Sequence, residues 1–198
     1  DMGGIEKIAN PDLYEITEEN GKVVMHSGTK DGKTAAGKIA SGSDGLAFYF
    51  QQIPANKDFT ISATATVLNA TKNNQVSFGL MVRDDVHIDK YDNQVKSDYV
   101  AAGCLKLAKG EGAWSSTFAR LDGTLNENTV QKQEFPAAGT KIDLSITKSG
   151  DTYTVNFGKD TATFNAKLTE VDSKWVYAGL YTVRSAYIEY SNIKLEVK

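Results

Sequence analysis

The stretch "DFTISATATVL", Asp58 to Leu68, decides the fold because its apolar and polar residues alternate. One set of alternate positions is apolar or small: Phe59, Ile61, Ala63, Ala65 and Val67. The positions between them carry hydroxyl groups: Thr60, Ser62, Thr64 and Thr66. Successive side chains of a strand point to opposite faces, so one set lines a core and the other faces solvent. The stretch therefore predicts a half-buried antiparallel strand.

The same period of two recurs along almost the whole chain. It is present in "GLAFYFQQI", "VSFGLMVR", "DYVAAGCLKL", "KIDLSITK", "TYTVNFG", "WVYAGLYTV" and "AYIEYSNIKLEV". Turn-forming stretches such as "SGSDG", "PANKD" and "KSGDT" separate these runs, and only "AKLTEVDSKW" has even a short helical pattern. Many short strands with frequent turns predict an all-β fold, a two-sheet antiparallel β-sandwich of the jelly-roll type.

We expect one domain over residues 1–198, because no linker, repeat or low-complexity tract divides the chain. A domain of this length can bury about 70% of the surface of its unfolded chain, which is enough for one core. Residues 1–20 are the least regular part and are predicted to form an edge segment or an arm.

Composition and charge exclude several classes of partner. The chain has 22 basic and 25 acidic residues and a net charge of -3, so it lacks the basic excess typical of nucleic-acid binding. No apolar run reaches the roughly 18 residues that span a bilayer, and we expect no membrane insertion. The single cysteine, Cys104, lies in the apolar run "AAGCLKL" and is predicted to be an inert buried thiol. The abundance of Thr, Ser, Asn, Gly and Lys is common in secreted and surface proteins of bacteria, which predicts an extracellular or cell-surface location.

Several stretches together resemble a known family. They are "SDGLAFYFQQIPANKDFTISATATV", "FGLMVRDD", "YVAAG", "RLDG", "YAGLYTVR" and "AYIEYSNIKLEV", and they cover about residues 35–198. The most specific of them is the tandem "DFTISATATV…FGLMVRD". They are similar to the concanavalin A-like jelly-roll modules of bacterial pectate lyases and related wall-degrading enzymes. The resemblance implies two curved sheets, a concave face that binds polysaccharide without cutting it, and covalently linked catalytic or surface domains.

Three strands carry residues suited to a sugar-binding face. The alternation in "VSFGLMVR" predicts that Arg83 shares a face with Gly79 and Met81, opposite three core residues, Phe78, Leu80 and Val82. In "AWSSTFARLDG" it places on one face Trp114, Ser116, Phe118 and Arg120. In "KWVYAGLYTVR" the corresponding set is Trp175, Tyr177, Gly179 and Tyr181. If the first and the third of these strands are neighbours, a common trough would be lined by Arg83, Tyr177, Tyr181 and Arg184.

Aromatic rings contact the C–H faces of sugars, and guanidiniums pair with hydroxyls or uronate carboxylates. The predicted stacking residues are Trp114, Tyr177 and Tyr181, and the predicted polar contacts are Arg83, Arg120 and Arg184. The sequence also permits the alternative that the aromatic residues pack inside the sandwich. Arg83 has its own alternative, an internal ion pair with Asp84, Asp98 or Asp143, because an unpaired buried arginine is costly.

The resemblance leaves room for a structural calcium ion, and we expect no other cofactor. The acidic loop "RDDVHIDKYDNQ" supplies the candidate oxygen ligands Asp84, Asp85, Asp89 and Asp92. A weaker candidate is Asp44 in "SGSDG". The loop lacks the ligand order of an EF-hand.

We therefore expect a non-catalytic carbohydrate-binding module of a secreted bacterial multidomain protein, with pectin-like cell-wall polysaccharide as ligand. Neither His26 nor His87 lies in a recognisable lyase motif, and no run of carboxylates has the spacing of a glycosidase. Two other functions stay open: a polysaccharide lyase or hydrolase on the same fold, and a structural or adhesive surface module.

Overall fold

The computed structural model describes residues 4–8, 14–27, 37–40, 44–71, 74–86, 97–107, 113–132, 134–169 and 173–198. All fourteen elements in these ranges are β-strands, and they form two antiparallel sheets. Sheet 1 contains, in spatial order, β1 (Gly4–Ile8), β4 (Leu46–Pro54), β13 (Trp175–Val183), β6 (Ser77–Arg83), β7 (Tyr99–Leu105), β8 (Ala113–Leu121) and β9 (Thr124–Lys132). Sheet 2 contains, in spatial order, β12 (Asp160–Asn165), β11 (Thr152–Phe157), β10 (Lys141–Ser149), β5 (Phe59–Ala70), β14 (Ala186–Val197), β3 (Lys22–His26) and β2 (Glu15–Glu19).

The main core lies between the two sheets and follows the predicted alternation. In β5 the apolar positions from Phe59 to Val67 are buried, and the hydroxyl-bearing positions between them are half-buried. The inward residues of sheet 1 include Phe78, Leu80 and Val82. Cys104 belongs to the same core, where burial raises the pKa of its thiol well above the usual value. The predicted two-sheet sandwich is confirmed.

Tyr190 of sheet 2 crosses this core and joins the two sheets by hydrogen bonds. Its hydroxyl accepts from the backbone N–H of Gly79 (2.8 Å) and donates to the carbonyl of Tyr181 (2.6 Å). Gly79 has a φ of 145°, and a Cβ there would overlap the carbonyl oxygen of Ala102 in β7. Only glycine therefore permits this close approach of β7 to β6.

A second buried cluster covers the outer face of sheet 1, which is the face turned away from sheet 2. Its members include Ile39, Leu46, Phe48, Met81, Tyr99, Phe118, Tyr177 and Tyr181. Part of the cover is a short segment around an isolated bridge between Lys38 and Gly45. We expected this face to form an open trough, but in the structure its side chains are buried in a second core.

The amino-terminal residues supply an edge strand to each sheet. β1 pairs with β4 at one edge of sheet 1, and β2 pairs with β3 at one edge of sheet 2. No helix long and apolar enough to cross a membrane occurs in the part of the chain described.

A buried arginine centre and an open lysine cleft as candidate functional sites

Three of the predicted contact residues form one row across sheet 1 together with Tyr99. Tyr177 of β13 lies opposite Arg83 of β6, Arg83 lies opposite Tyr99 of β7, and Tyr99 lies opposite Arg120 of β8. Side chains directly opposite each other in an antiparallel pair are close neighbours. The condition that β6 and β13 are neighbours is met, and both arginines reach the same point on the outer face.

That point is occupied by Asp44, and we call Asp44, Arg83, Arg120 and Tyr99 the arginine centre. Arg83 donates from Nη2 to Oδ2 of Asp44 (2.8 Å), and Arg120 donates from Nη1 to Oδ1 (2.8 Å) and from Nη2 to Oδ2. Arg83 and Asp44 are completely buried, and Arg120 is 1% exposed. Although burial opposes ionisation, the two guanidiniums hold the pKa of Asp44 below its usual range.

Tyr99 lies between the two guanidiniums, whose Cζ atoms are 5.7 Å (Arg83) and 4.9 Å (Arg120) from the centre of its ring. These distances suit cation–π contacts. One carboxylate faces two cations here, and the aromatic ring supplies part of the missing negative potential.

The arginine centre also holds the segment that covers it. The carbonyl of Ile39 accepts from the hydroxyl of Tyr99 (2.6 Å) and from Nη1 of Arg120 (3.0 Å). From the other side, Oε1 of Gln75 accepts from the backbone N–H of Ile39 (3.0 Å) and of Ala40 (3.0 Å). These bonds tie the cover to sheet 1 and to the turn before β6, so the centre acts as a structural fastening.

For Arg83 the internal ion pair is present, with a partner other than the three expected aspartates. Its carboxylate comes from Asp44, 39 positions earlier in the chain. Two of the expected aspartates have other contacts: Asp84 accepts from the backbone N–H of Asp98 (3.0 Å), and Asp143 accepts from the hydroxyl of Thr64 (2.9 Å).

The two predicted stacking tyrosines are closed off from solvent. Tyr177 is 2% exposed and meets the ring of Phe50 edge-on, and Tyr181 is fully buried with its hydroxyl 2.7 Å from that of Ser77. Stacking of a sugar on either ring would require the cover to leave the sheet.

Trp114 does not share a face with Arg120, contrary to the expected alternation. The pairing of β8 with β9 shifts register at Ser115/Thr117 and again at Thr117/Phe118. Such a bulge changes which residues point to which face. Trp114 therefore turns to the core between the sheets, where its ring meets that of Phe157 at 5.6 Å.

Arg184 lies apart from the arginine centre and is half-buried. Its Nε donates to the carbonyl of Gly37 (2.7 Å), and its Nη1 donates to the carbonyl of Asn74. It therefore fastens the start of the covering segment to the turn before β6.

The candidate calcium ligands are not brought together in the described ranges. Asp89 and Asp92 lie outside those ranges, and within them no group of three or more His, Cys, Asp or Glu side chains has an arrangement that could hold a metal. Asp44 does not suit a cation, because two guanidiniums occupy it. Burial and the charge of Asp98 raise the pKa of Asp84 to about 7, which weakens it as a ligand. Calcium binding stays a prediction.

An open cleft lies elsewhere, at the end of the sandwich where β8 of sheet 1 faces β10, β11 and β12 of sheet 2. Its volume is about 600 Å³, and the residues that line it include Trp114, Phe157, Lys141, Lys159, Asp143 and Asp160. We call it the lysine cleft. Trp114 is the one predicted site residue that lines it. The lysines were missed because the sequence separates them by two strands, although "KID" and "GKD" each place a lysine and an aspartate at adjoining or alternate positions.

Comparison with known proteins confirms the resemblance inferred from the sequence. Residues 9–102 match the family model described as the pectate disaccharide-lyase N-terminal domain. The chain is 31% identical over 185 residues to pectate lyase L of Thermoclostridium stercorarium, covering 93% of this chain and 13% of the enzyme. It is 24% identical to the pectate disaccharide-lyase of Dickeya chrysanthemi, covering 82% of this chain and 26% of that enzyme.

Among solved structures, the carbohydrate-binding module CBM66 from Bacillus subtilis has the same fold. The TM-score is 0.56 at 14% identity, with 99% of this chain and 97% of the module covered. The chain therefore has a jelly-roll fold and is similar, over most of its length, to a part of two pectate lyases. It spans about an eighth and about a quarter of the two enzymes.

Proposed function

We propose that this chain is a non-catalytic carbohydrate-binding domain of a secreted bacterial protein, with pectin-like polysaccharide as its ligand. The observation that carries the proposal is the small part of each relative that the chain spans, 13% of one pectate lyase and 26% of the other. Most of each enzyme lies outside the region of similarity, and this fits an appended domain that serves a separate catalytic unit.

The arginine centre supports a non-catalytic role. A lyase that acts on uronates needs a cation beside the carboxylate to be neutralised, together with a base and an acid. Arg83 and Arg120 are the strongest candidate cations in sheet 1, and both are committed to Asp44 in the interior. Of the two histidines, His26 lies in β3 and meets the ring of Tyr187 edge-on at 4.9 Å, whereas His87 is outside the described residues.

A covalently linked catalytic domain would gain from such a module. Binding of the polysaccharide by one domain raises the effective concentration of the same chain at the next domain, without any new contact at the catalytic site. The partners in this proposal are therefore the polysaccharide and the catalytic or surface domains of a longer protein.

The test is a titration of the chain with homogalacturonan, xylan, fructan and glucan, followed by tryptophan emission and repeated by calorimetry. Unsaturated uronide products are measured in parallel by absorbance. We expect saturable binding of homogalacturonan and no product. Turnover would favour the lyase alternative, and a chain that binds none of the four polysaccharides would favour a structural or adhesive module; either result overturns the proposal.

A further inference from the structure

The lysine cleft combines an open cavity, aromatic walls and exposed charged groups. Its volume of about 600 Å³ falls within the range of small-ligand sites. Trp114 of sheet 1 and Phe157 of sheet 2 meet at its wall. The two sheets thus contribute to one concave site, although neither sheet forms it alone.

The two lysines of the cleft have no partner within the described residues. Lys141 begins β10, Lys159 lies in the turn between β11 and β12, and both side chains are exposed. Neither ammonium forms an ion pair or a hydrogen bond with a described residue. Both cations therefore stay available to an anion from outside.

The aspartates of the cleft are anchored to the protein by hydroxyl groups. Asp143 accepts from Thr64 (2.9 Å), and Asp160 accepts from Ser116 (2.8 Å). Carboxylates held in this way keep further lone pairs, and these can accept hydrogen bonds from sugar hydroxyls. The cleft thus places two cations beside carboxylates that can accept hydrogen bonds from hydroxyl groups.

Trp114 contributes a polar group whose hydrogen-bonding capacity is unused. Its indole N–H is buried and has no hydrogen-bond partner among the residues that the structure describes. A buried donor without a partner is unusual in folded proteins. Because the residue is only 5% exposed, its ring forms an apolar wall of the cleft rather than a platform for stacking.

We propose that the lysine cleft binds a uronate-containing segment of polysaccharide. Lys141 and Lys159 pair with sugar carboxylates, Asp143 and Asp160 accept from ring hydroxyls, and Trp114 with Phe157 forms the apolar wall. Binding is carried by charge-assisted hydrogen bonds, so uronate chains are preferred over neutral chains. The inference rests on the proposed carbohydrate-binding function and locates its site away from the outer face of sheet 1.

The test compares the whole chain with the double variant Lys141→Gln/Lys159→Gln. Each protein is titrated by calorimetry with oligogalacturonate, with its methyl ester and with a neutral galactan oligomer. The matched control is Lys167→Gln/Lys198→Gln, two exposed lysines near the opposite end of sheet 2, where the backbone of Lys198 bonds to Asp58. Thermal unfolding checks that all three proteins are equally folded.

We expect the cleft variant to bind oligogalacturonate at least about 10-fold more weakly, with the control variant within about 2-fold of the parent chain. The methyl ester and the neutral galactan should bind the parent chain at least about 10-fold more weakly than the free acid. Equal affinity of the parent chain and the cleft variant for oligogalacturonate would overturn the location of the site while leaving the proposed function intact. A parent chain that binds no polysaccharide at all would overturn both.

Discussion

The arginine centre and the lysine cleft contain similar kinds of side chain, which are buried and paired in the centre and exposed in the cleft. Each brings two cations close to aspartate and to an aromatic ring. In the arginine centre the carboxylate of Asp44 lies between the guanidiniums and all three groups are buried. In the lysine cleft both ammoniums are exposed, and the aspartates are held by hydroxyls. The difference shows that burial commits charge to the fold, while exposure leaves it for a ligand.

The largest expected effect comes from breaking the arginine centre. Asp44→Asn removes the carboxylate charge that lies between Arg83 and Arg120 and leaves two buried cations, so we expect the free energy of unfolding to fall by about 3–5 kcal/mol. Denaturant titration measures this change in the free energy of unfolding. The matched change in the lysine cleft, Asp143→Asn, should alter stability by less than about 0.5 kcal/mol, because that carboxylate is exposed. Losses of equal size at the two positions would contradict the comparison.

A second effect tests the hydrogen bonds by which Tyr190 joins the two sheets. Tyr190→Phe keeps the ring but leaves the N–H of Gly79 and the carbonyl of Tyr181 without this partner. We expect a loss of about 2 kcal/mol, since buried groups would lose their hydrogen bonds. Tyr187→Phe is the control, because that ring is 37% exposed. If both substitutions leave the denaturation midpoint unchanged, the bridge between the sheets has no energetic role.

A third effect concerns Asp84, which lies directly after Arg83 at the border of the centre. Burial and the charge of Asp98, opposed by Arg83, raise the pKa of Asp84 to about 7. The pKa of Asp84 is about 4 in the unfolded chain, so between about pH 4 and about pH 7 this carboxyl is protonated in the folded chain and ionised in the unfolded chain. The stability that this difference provides is fully present below about pH 4 and is lost as the pH rises through about 7. Asp84→Asn should remove this loss and stabilise the chain by about 1 kcal/mol at about pH 8.

The measurement for Asp84 is the difference in unfolding free energy between variant and parent chain from about pH 5 to about pH 8. The difference should grow with pH and level off above about pH 7. A difference that is constant across this range would show that Asp84 does not titrate there.

The smallest effect is that of salt on the two sites. Raising ionic strength from about 0.05 M to about 0.5 M should weaken oligogalacturonate binding several-fold, because the lysines of the cleft are exposed to counterions. The arginine centre is screened much less, so the parent chain's loss on Asp44→Asn should change by less than about 0.5 kcal/mol. If binding of oligogalacturonate did not depend on salt and the loss of stability on Asp44→Asn did, the assignment of exposed charge to the cleft and buried charge to the centre would be contradicted.

Periodicity predicted the faces of β6 and β13 correctly, because no bulge interrupts their pairing and each has a buried side. It failed at Trp114, because the register shifts in β8 follow from pairing with β9 and leave no mark in the alternation. It also could not identify Asp44 as the partner of Arg120, 76 positions away. Contacts between residues so far apart depend on the order of the strands in the sheets, which the alternation of apolar and polar residues does not specify.

The outer face of sheet 1 shows a second limit of prediction from residue types. Arg83, Tyr177 and Tyr181 were expected to line an open trough because mixed polar and aromatic residues are typical of binding grooves. The same mixture also suits a closed polar centre, and the deciding factor is the covering segment around Ile39 and Asp44. The lysine cleft was missed because its residues are distant in sequence and come from both sheets, so the alternation within one strand does not bring them together.

The central claim is that ligand enters the lysine cleft and not the arginine centre. The most direct test follows the two indole N–H signals by nuclear magnetic resonance while oligogalacturonate is added to the labelled chain, with Trp175→Phe used for assignment. Trp114 lines the cleft, whereas Trp175 packs against the cluster on the outer face of sheet 1. The account predicts that the Trp114 signal shifts on binding and the Trp175 signal does not. Binding that shifts Trp175 and leaves Trp114 unchanged would contradict it.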